Sequence, residues 1–108
     1  MQMNAKVQQI LREMKSGLLS LYGERLKSIY LFGSYARDEA DEESDIDVLI
    51  VLDRIEKYAH EVDTCSELVS GLSLKHGLSI SCVYTSDRKW REDQTLFFLN
   101  VREEAIPA

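Results

Sequence analysis

The chain has 108 residues, 13 Lys and Arg against 19 Asp and Glu for a formal charge of −6, and a hydrophobic share of 44%. Its length predicts one domain over residues 1–108, and its composition is that of a folded chain rather than a disordered one. The acidic balance argues against nucleic acid as a direct ligand, which needs clustered Lys and Arg, and no apolar run is long enough to predict a membrane span or an export leader.

In chain order, a first helix is predicted from the recurrence of Val7, Ile10, Leu11, Met14, Leu18, Leu21 and Tyr22 at three- and four-residue spacing, with Gly23 as its stop. Residues 29–32 form an apolar run too short for a helix and read as a buried strand that Gly33 ends. The Gly33-Ser34 turn is expected to open a short helix. Residues 48–52, unbroken and rich in β-branched side chains, predict a strand covered on both faces. A long helix is predicted from Asp53, where Asp-Arg-Ile-Glu has the form of a capping box. Its apolar stripe is Ile55, Tyr58, Ala59, Val62, Cys65, Val69 and Leu72, and Gly77 ends it. Residues 78–84 predict a third strand, Ser86 a cap for a short helix carrying Trp90, and residues 96–101 a helical tail closing over the core. The expected fold class is α/β (α+β), a small mixed sheet of three or more strands with helices packed on it.

Cys65 and Cys82 fall among apolar neighbours, as buried free thiols of a reducing cytoplasm do, and a cytoplasmic location is expected. His60 lies off the apolar stripe, and His76 is near a helix end that favours a positive imidazole. Trp90, Phe97 and Phe98 read as core or, in a chain with little core to hide them, as partner-facing.

The chemistry is concentrated in two short motifs, Gly33-Ser34 and Asp45-Ile46-Asp47. Residues two apart on a strand point to one face, so Asp45 and Asp47 are expected to project together. Such a pair suits Mg2+, which commonly takes one or two carboxylates plus substrate phosphates. The Gly33-Ser34 turn offers backbone N–H groups to phosphate oxygens, the Ser34 hydroxyl adds a donor, and Arg37 can reach the same phosphates with a charged fork. A lone Gly-Ser is usually only a turn, and a lone Asp-x-Asp usually a solvated edge. Their conjunction carries the reading of a nucleoside triphosphate site.

Gly-Ser-Tyr-Ala-Arg followed by Ser-Asp-Ile-Asp resembles the signature of the DNA polymerase beta-like nucleotidyltransferases, and in particular their smallest members, the minimal nucleotidyltransferases (MNT). The resemblance runs from the first helix to the closing Phe-Phe-Leu-Asn-Val-Arg-Glu-Glu-Ala-Ile segment. It implies a nucleotidyltransferase fold in which Asp45 and Asp47 bind Mg2+, Gly33 and Ser34 hold the triphosphate of ATP, and Arg37 fills the family's Ala-Arg step. It places Asp45, Asp47 and Ser34 in the catalytic set. It also implies a partner, a HEPN toxin encoded alongside and often an RNase, to whose tyrosine hydroxyl some members transfer AMP as antitoxins. An assembly of like or unlike chains is expected on the same ground.

Two positions depart from the family pattern. Many relatives have Gly after the Arg, where this chain has Asp38. Catalytic members also carry a third carboxylate on the neighbouring strand, whereas residues 78–84 contain no acid. Ser81 is the candidate for that third position, and a serine without a partner is a poor general base. Asp87, Glu92 and Asp93 follow in the next segment. The implied function therefore has two forms: Mg2+-dependent adenylylation of the toxin, or neutralisation of the toxin by binding alone. Transfer to a small molecule such as an antibiotic is disfavoured, because such enzymes generally need an added domain.

Overall fold

The computed structural model describes residues 4–108. Strands β1 (Leu26–Phe32), β2 (Ile46–Leu52), β3 (Ile80–Ser86) and a short β4 (Ile106–Pro107) form one sheet in the order β3-β2-β1-β4. β1 runs antiparallel to both β2 and β4, and β2 runs parallel to β3. The sheet is mixed, as expected from the sequence. β2 is flanked by strands on both edges and covered on both faces, which is why residues 48–52 read as an unbroken apolar run.

Helix α1 (Ala5–Tyr22) begins where the Asn4 side chain accepts from the Lys6 N–H at 2.8 Å, and it stops at Gly23, whose φ of 56° is left-handed. Helix α2 (Tyr58–His76) ends at Gly77 in the same way, with φ 66°. The two pack on one face of the sheet, where Ile29 and Leu31 of β1 and Ile46, Val48, Ile50 and Leu52 of β2 meet Ile10, Met14, Leu18 and Cys65. The opposite face carries α3 (Asp87–Glu92) and α4 (Leu96–Glu104), and its buried apolar cluster is the small set Phe32, Leu49, Val51 and Val101. Strand alternation accounts for the division, since neighbours along a strand point to opposite faces.

Several expectations are corrected. The long helix starts at Tyr58 rather than Asp53. Asp53 is still tied to the sheet, its N–H donating to the Arg25 carbonyl at 2.8 Å and its carboxylate accepting from the Arg54 N–H and the Arg25 side chain. Ile55 thus lies in the connecting loop, and Tyr58 and Val62 are exposed. The inner face of α2 instead holds Glu61, 3% exposed, which accepts from the Tyr22 hydroxyl at 2.8 Å and faces Arg25 at 3.5 Å. Leu21 is exposed, and Cys82 is half-buried while Cys65 is fully buried.

The helical tail forms but closes only partly over the core. Val101 is buried, whereas Leu96 is 73% and Phe97 44% exposed. Trp90 stacks on Tyr30 with ring centres 4.7 Å apart, and Phe97 meets the edge of Phe32 at 5.9 Å. Ser86 caps α3 as expected, accepting from the Lys89 N–H. His60 is exposed, and His76 at the end of α2 bonds Glu13 at 2.8 Å.

Candidate active site

Antiparallel pairing puts Phe32, the last residue of β1, opposite Asp47 near the start of β2. Gly33 therefore turns directly over the Asp47 side chain. Its φ is 75°, and a Cβ built there would lie 2.1 Å from Asp47 Oδ2. Conformation and contact both demand glycine, so the two motifs of the sequence touch each other physically.

The segment after Gly33 is a hydrogen-bonded turn, not the short helix expected. The N–H groups of Ala36 and Arg37 donate to the Gly33 carbonyl at 3.0 and 3.1 Å, and the Glu39 N–H donates to the Ser34 carbonyl at 2.9 Å. Asp38 then takes a φ of 59° and breaks the helical path. That left-handed conformation suits glycine, the residue many relatives of the resembled family have there.

Asp45 is exposed and lies immediately before β2, while Asp47 is half-buried within it. Burial holds the Asp47 carboxyl above its ordinary pKa, and the charges of Asp45 and Glu104 push the same way against the pull of Arg37. Ser81 stands in register with Asp47 on the parallel strand β3, on the same face, and is exposed. The candidate for the third position is thus a serine neighbouring the acid across the ladder. Asp87 pairs with Arg91, Glu92 pairs with Arg88, and Asp93 accepts from the Thr95 N–H, so these acids are engaged around α3.

Glu104, the last residue of α4, is a site residue that the sequence does not disclose. Its carboxylate accepts from the Gly33 N–H at 2.5 Å and from Arg37 Nη1 at 3.1 and 3.2 Å. The Gly33 N–H expected to be free for phosphate is therefore taken. Arg37 is also bound to Glu39 at 2.8 Å, and these partners raise its pKa, Glu39 foremost. Gly33, Ser34, Arg37, Asp47, Phe97 and Glu104 line a surface cleft of about 400 Å³.

Among the described residues, no three His, Cys, Asp or Glu side chains cluster as metal ligands. The donor set is a pair, Asp45 and Asp47, whose mutual repulsion opposes ionisation of Asp47. A divalent cation would relieve that repulsion and suits a site that draws its remaining ligands from phosphate. The residues present fit such an ion.

Fold and site together set a glycine turn against paired acids at the rim of a mixed sheet. The chain belongs to the nucleotidyltransferase domain family, whose model matches residues 11–101. It is 39% identical over 95 residues to "Putative protein adenylyltransferase MJ0604" of Methanocaldococcus jannaschii, covering 87% of this chain and 89% of that one. A second protein of that organism, "Putative protein adenylyltransferase MJ0141", is 37% identical over 73 residues, 68% of this chain and 73% of that one. Among solved structures, a toxin-antitoxin complex with AMP-PNP matches with a TM-score of 0.61 at 23% identity, over 89% of this chain and 69% of that one. A mutant form of the MntA-HpeT toxin-antitoxin matches with a TM-score of 0.60 at 22% identity, over 90% and 70%. At such identities the structural matches speak for the fold, which is the nucleotidyltransferase fold expected from the sequence. No helix among the described residues is long and apolar enough to cross a membrane.

Proposed function

We propose that this chain is an MNT-type antitoxin that transfers AMP from ATP to a hydroxyl of a partner toxin. The observation that carries the reading is the contact between the Gly33 turn and Asp47, with room at Gly33 for no Cβ. A glycine forced against an acid at a strand rim joins a phosphate seat to a metal-binding carboxylate.

In this reading Gly33, Ser34 and Arg37 hold the triphosphate, and Asp45 and Asp47 hold Mg2+. The ion, when bound, neutralises phosphate charge and polarises the phosphorus under attack. Glu39 and Glu104 both bind Arg37, and Asp45 and Glu104 add negative charge at Asp47, so this acidic rim needs added positive charge before a triphosphate can settle. The acceptor oxygen forms a bond to the α-phosphorus, the bond to the bridging oxygen breaks, and pyrophosphate leaves. The proposed acceptor is a tyrosine of a HEPN toxin, and the complex is cytoplasmic. The relatives' names as protein adenylyltransferases support a protein acceptor, and the toxin-antitoxin matches support a toxin partner.

One observation favours a second reading. Ser81, the candidate for the third position, stands in register with Asp47 where β3 offers no acid, and it brings no base to take the acceptor's proton. A chain that binds nucleotide weakly and silences its toxin by occlusion accounts for that serine.

The experiment is co-expression with the product of the adjacent gene, then incubation with ATP and Mg2+. Intact mass of the partner is expected to rise by AMP units, and Asp45→Asn with Asp47→Asn is expected to abolish the gain. A tight complex with no gain in mass refutes transfer and leaves occlusion.

A further inference from the structure

We infer that Glu104 is a resident stand-in for phosphate, closing the triphosphate seat in the empty protein, and that nucleotide enters by displacing it. The inference rests on the proposed triphosphate seat and adds a gate to it.

The contacts of Glu104 are those a phosphate would make. One oxygen takes the Gly33 backbone N–H at 2.5 Å, and both face Arg37 Nη1 at 3.1 and 3.2 Å. A backbone N–H at a glycine turn and a guanidinium are general-purpose donors to anions, equally fit for carboxylate or phosphate oxygens. The side chain is 20% exposed, so this is a partly desolvated contact rather than a loose surface pair.

The position of Glu104 argues that these contacts are specific. It ends α4, where the helix dipole is negative and a carboxylate is disfavoured. That unfavourable placement is offset by the Gly33 and Arg37 contacts, which a bound triphosphate would claim for itself. Displacement would release the end of α4, just where Ile106 pairs with Leu31 of β1. Occupancy of the seat is thereby linked to the hold on the C-terminal segment.

Calorimetric titration with ATP, with inorganic tripolyphosphate and with adenosine, each with Mg2+, tests the gate. Glu104→Gln keeps the shape and an acceptor for the Gly33 N–H but removes the competing charge. It is expected to bind ATP and tripolyphosphate about tenfold more tightly than the native chain, a change of the size of one charge-assisted contact. Adenosine binding is expected to stay the same, and Glu103→Gln, at the exposed neighbouring position, to leave all three unchanged. Equal or weaker tripolyphosphate binding by Glu104→Gln overturns the gate while leaving the seat standing. If neither native chain nor variant binds ATP or tripolyphosphate, the seat itself is refuted and the gate with it. The native chain supplies an independent readout. Saturating ATP and Mg2+ should speed amide exchange over residues 104–106, and slower or unchanged exchange overturns displacement.

Discussion

The two faces of the sheet obey different rules. Against α1 and α2, β2 contributes Ile46, Val48, Ile50 and Leu52, all fully buried, to a broad apolar layer. On the other face, the same strand contributes Leu49 and Val51 to a small cluster under partly exposed aromatics, with Asp47 toward the rim. The first face collects the burial that holds the fold. The second collects features that cost stability: a left-handed backbone at the non-glycine Asp38, like charges around Asp47, and a buried Thr85 hydroxyl without a protein partner. One strand, alternating residue by residue, separates stability from chemistry.

The largest effect should come from the α1/α2 face. Ile50→Ala removes a fully buried side chain from the middle of β2 and is expected to cost about 3 kcal/mol, measured by urea unfolding. Nucleotide affinity of the folded fraction should not change. A loss of affinity comparable to that of site variants would show that the two faces are not separable.

On the site face, Gly33→Ala forces a Cβ into Asp47 and an alanine into φ 75°. The expected stability cost is smaller, about 2 kcal/mol. Its effect on ATP binding should be much greater, since either the turn or the Asp47 carboxylate must move. Retained ATP affinity at native level would break the assignment of this turn to the site.

These contrasts also explain what is legible in the sequence. β2 is readable because a central strand covered on both faces is apolar at every position past its rim, from Val48 to Leu52. Gly33 and Asp47 are readable because backbone geometry and carboxylate chemistry leave few substitutes at such places. The start of the long helix is misleading because Asp53 and Glu56 satisfy a capping pattern locally, while the Asp53 N–H is claimed by the Arg25 carbonyl across the sheet. The buried Glu61 escapes a reading of the sequence because its partners, Tyr22 and Arg25, lie far away along the chain. Glu104 escapes it for the same reason, since only tertiary folding brings it to Gly33, 71 residues earlier. Local pattern discloses a residue whose partners are local, and those of Glu61 and Glu104 are distant.

The smallest effect sharpens the comparison most, because its sign is opposite. If the site face sacrifices stability for chemistry, Asp47→Asn should stabilise the protein while abolishing transfer. The Asp47 carboxyl is raised above its ordinary 3.8 by burial first, then by Asp45, with Glu104 adding and Arg37 opposing. An acid whose folded pKa exceeds its unfolded one binds more protons in the folded state across that interval. Its destabilising contribution is therefore absent below 3.8, grows as pH rises through the raised pKa, and is complete above it. Solvent screens a half-exposed carboxylate, so the gain at pH 7 should be below about 1 kcal/mol. Unfolding in EDTA at pH 3.5 and pH 7 measures it: native and Asp47→Asn chains should differ little at the lower pH, with the variant ahead at the higher. A variant less stable than the native chain at pH 7 would mean that Asp47 supports the fold, and the division between the faces would fail at its central residue.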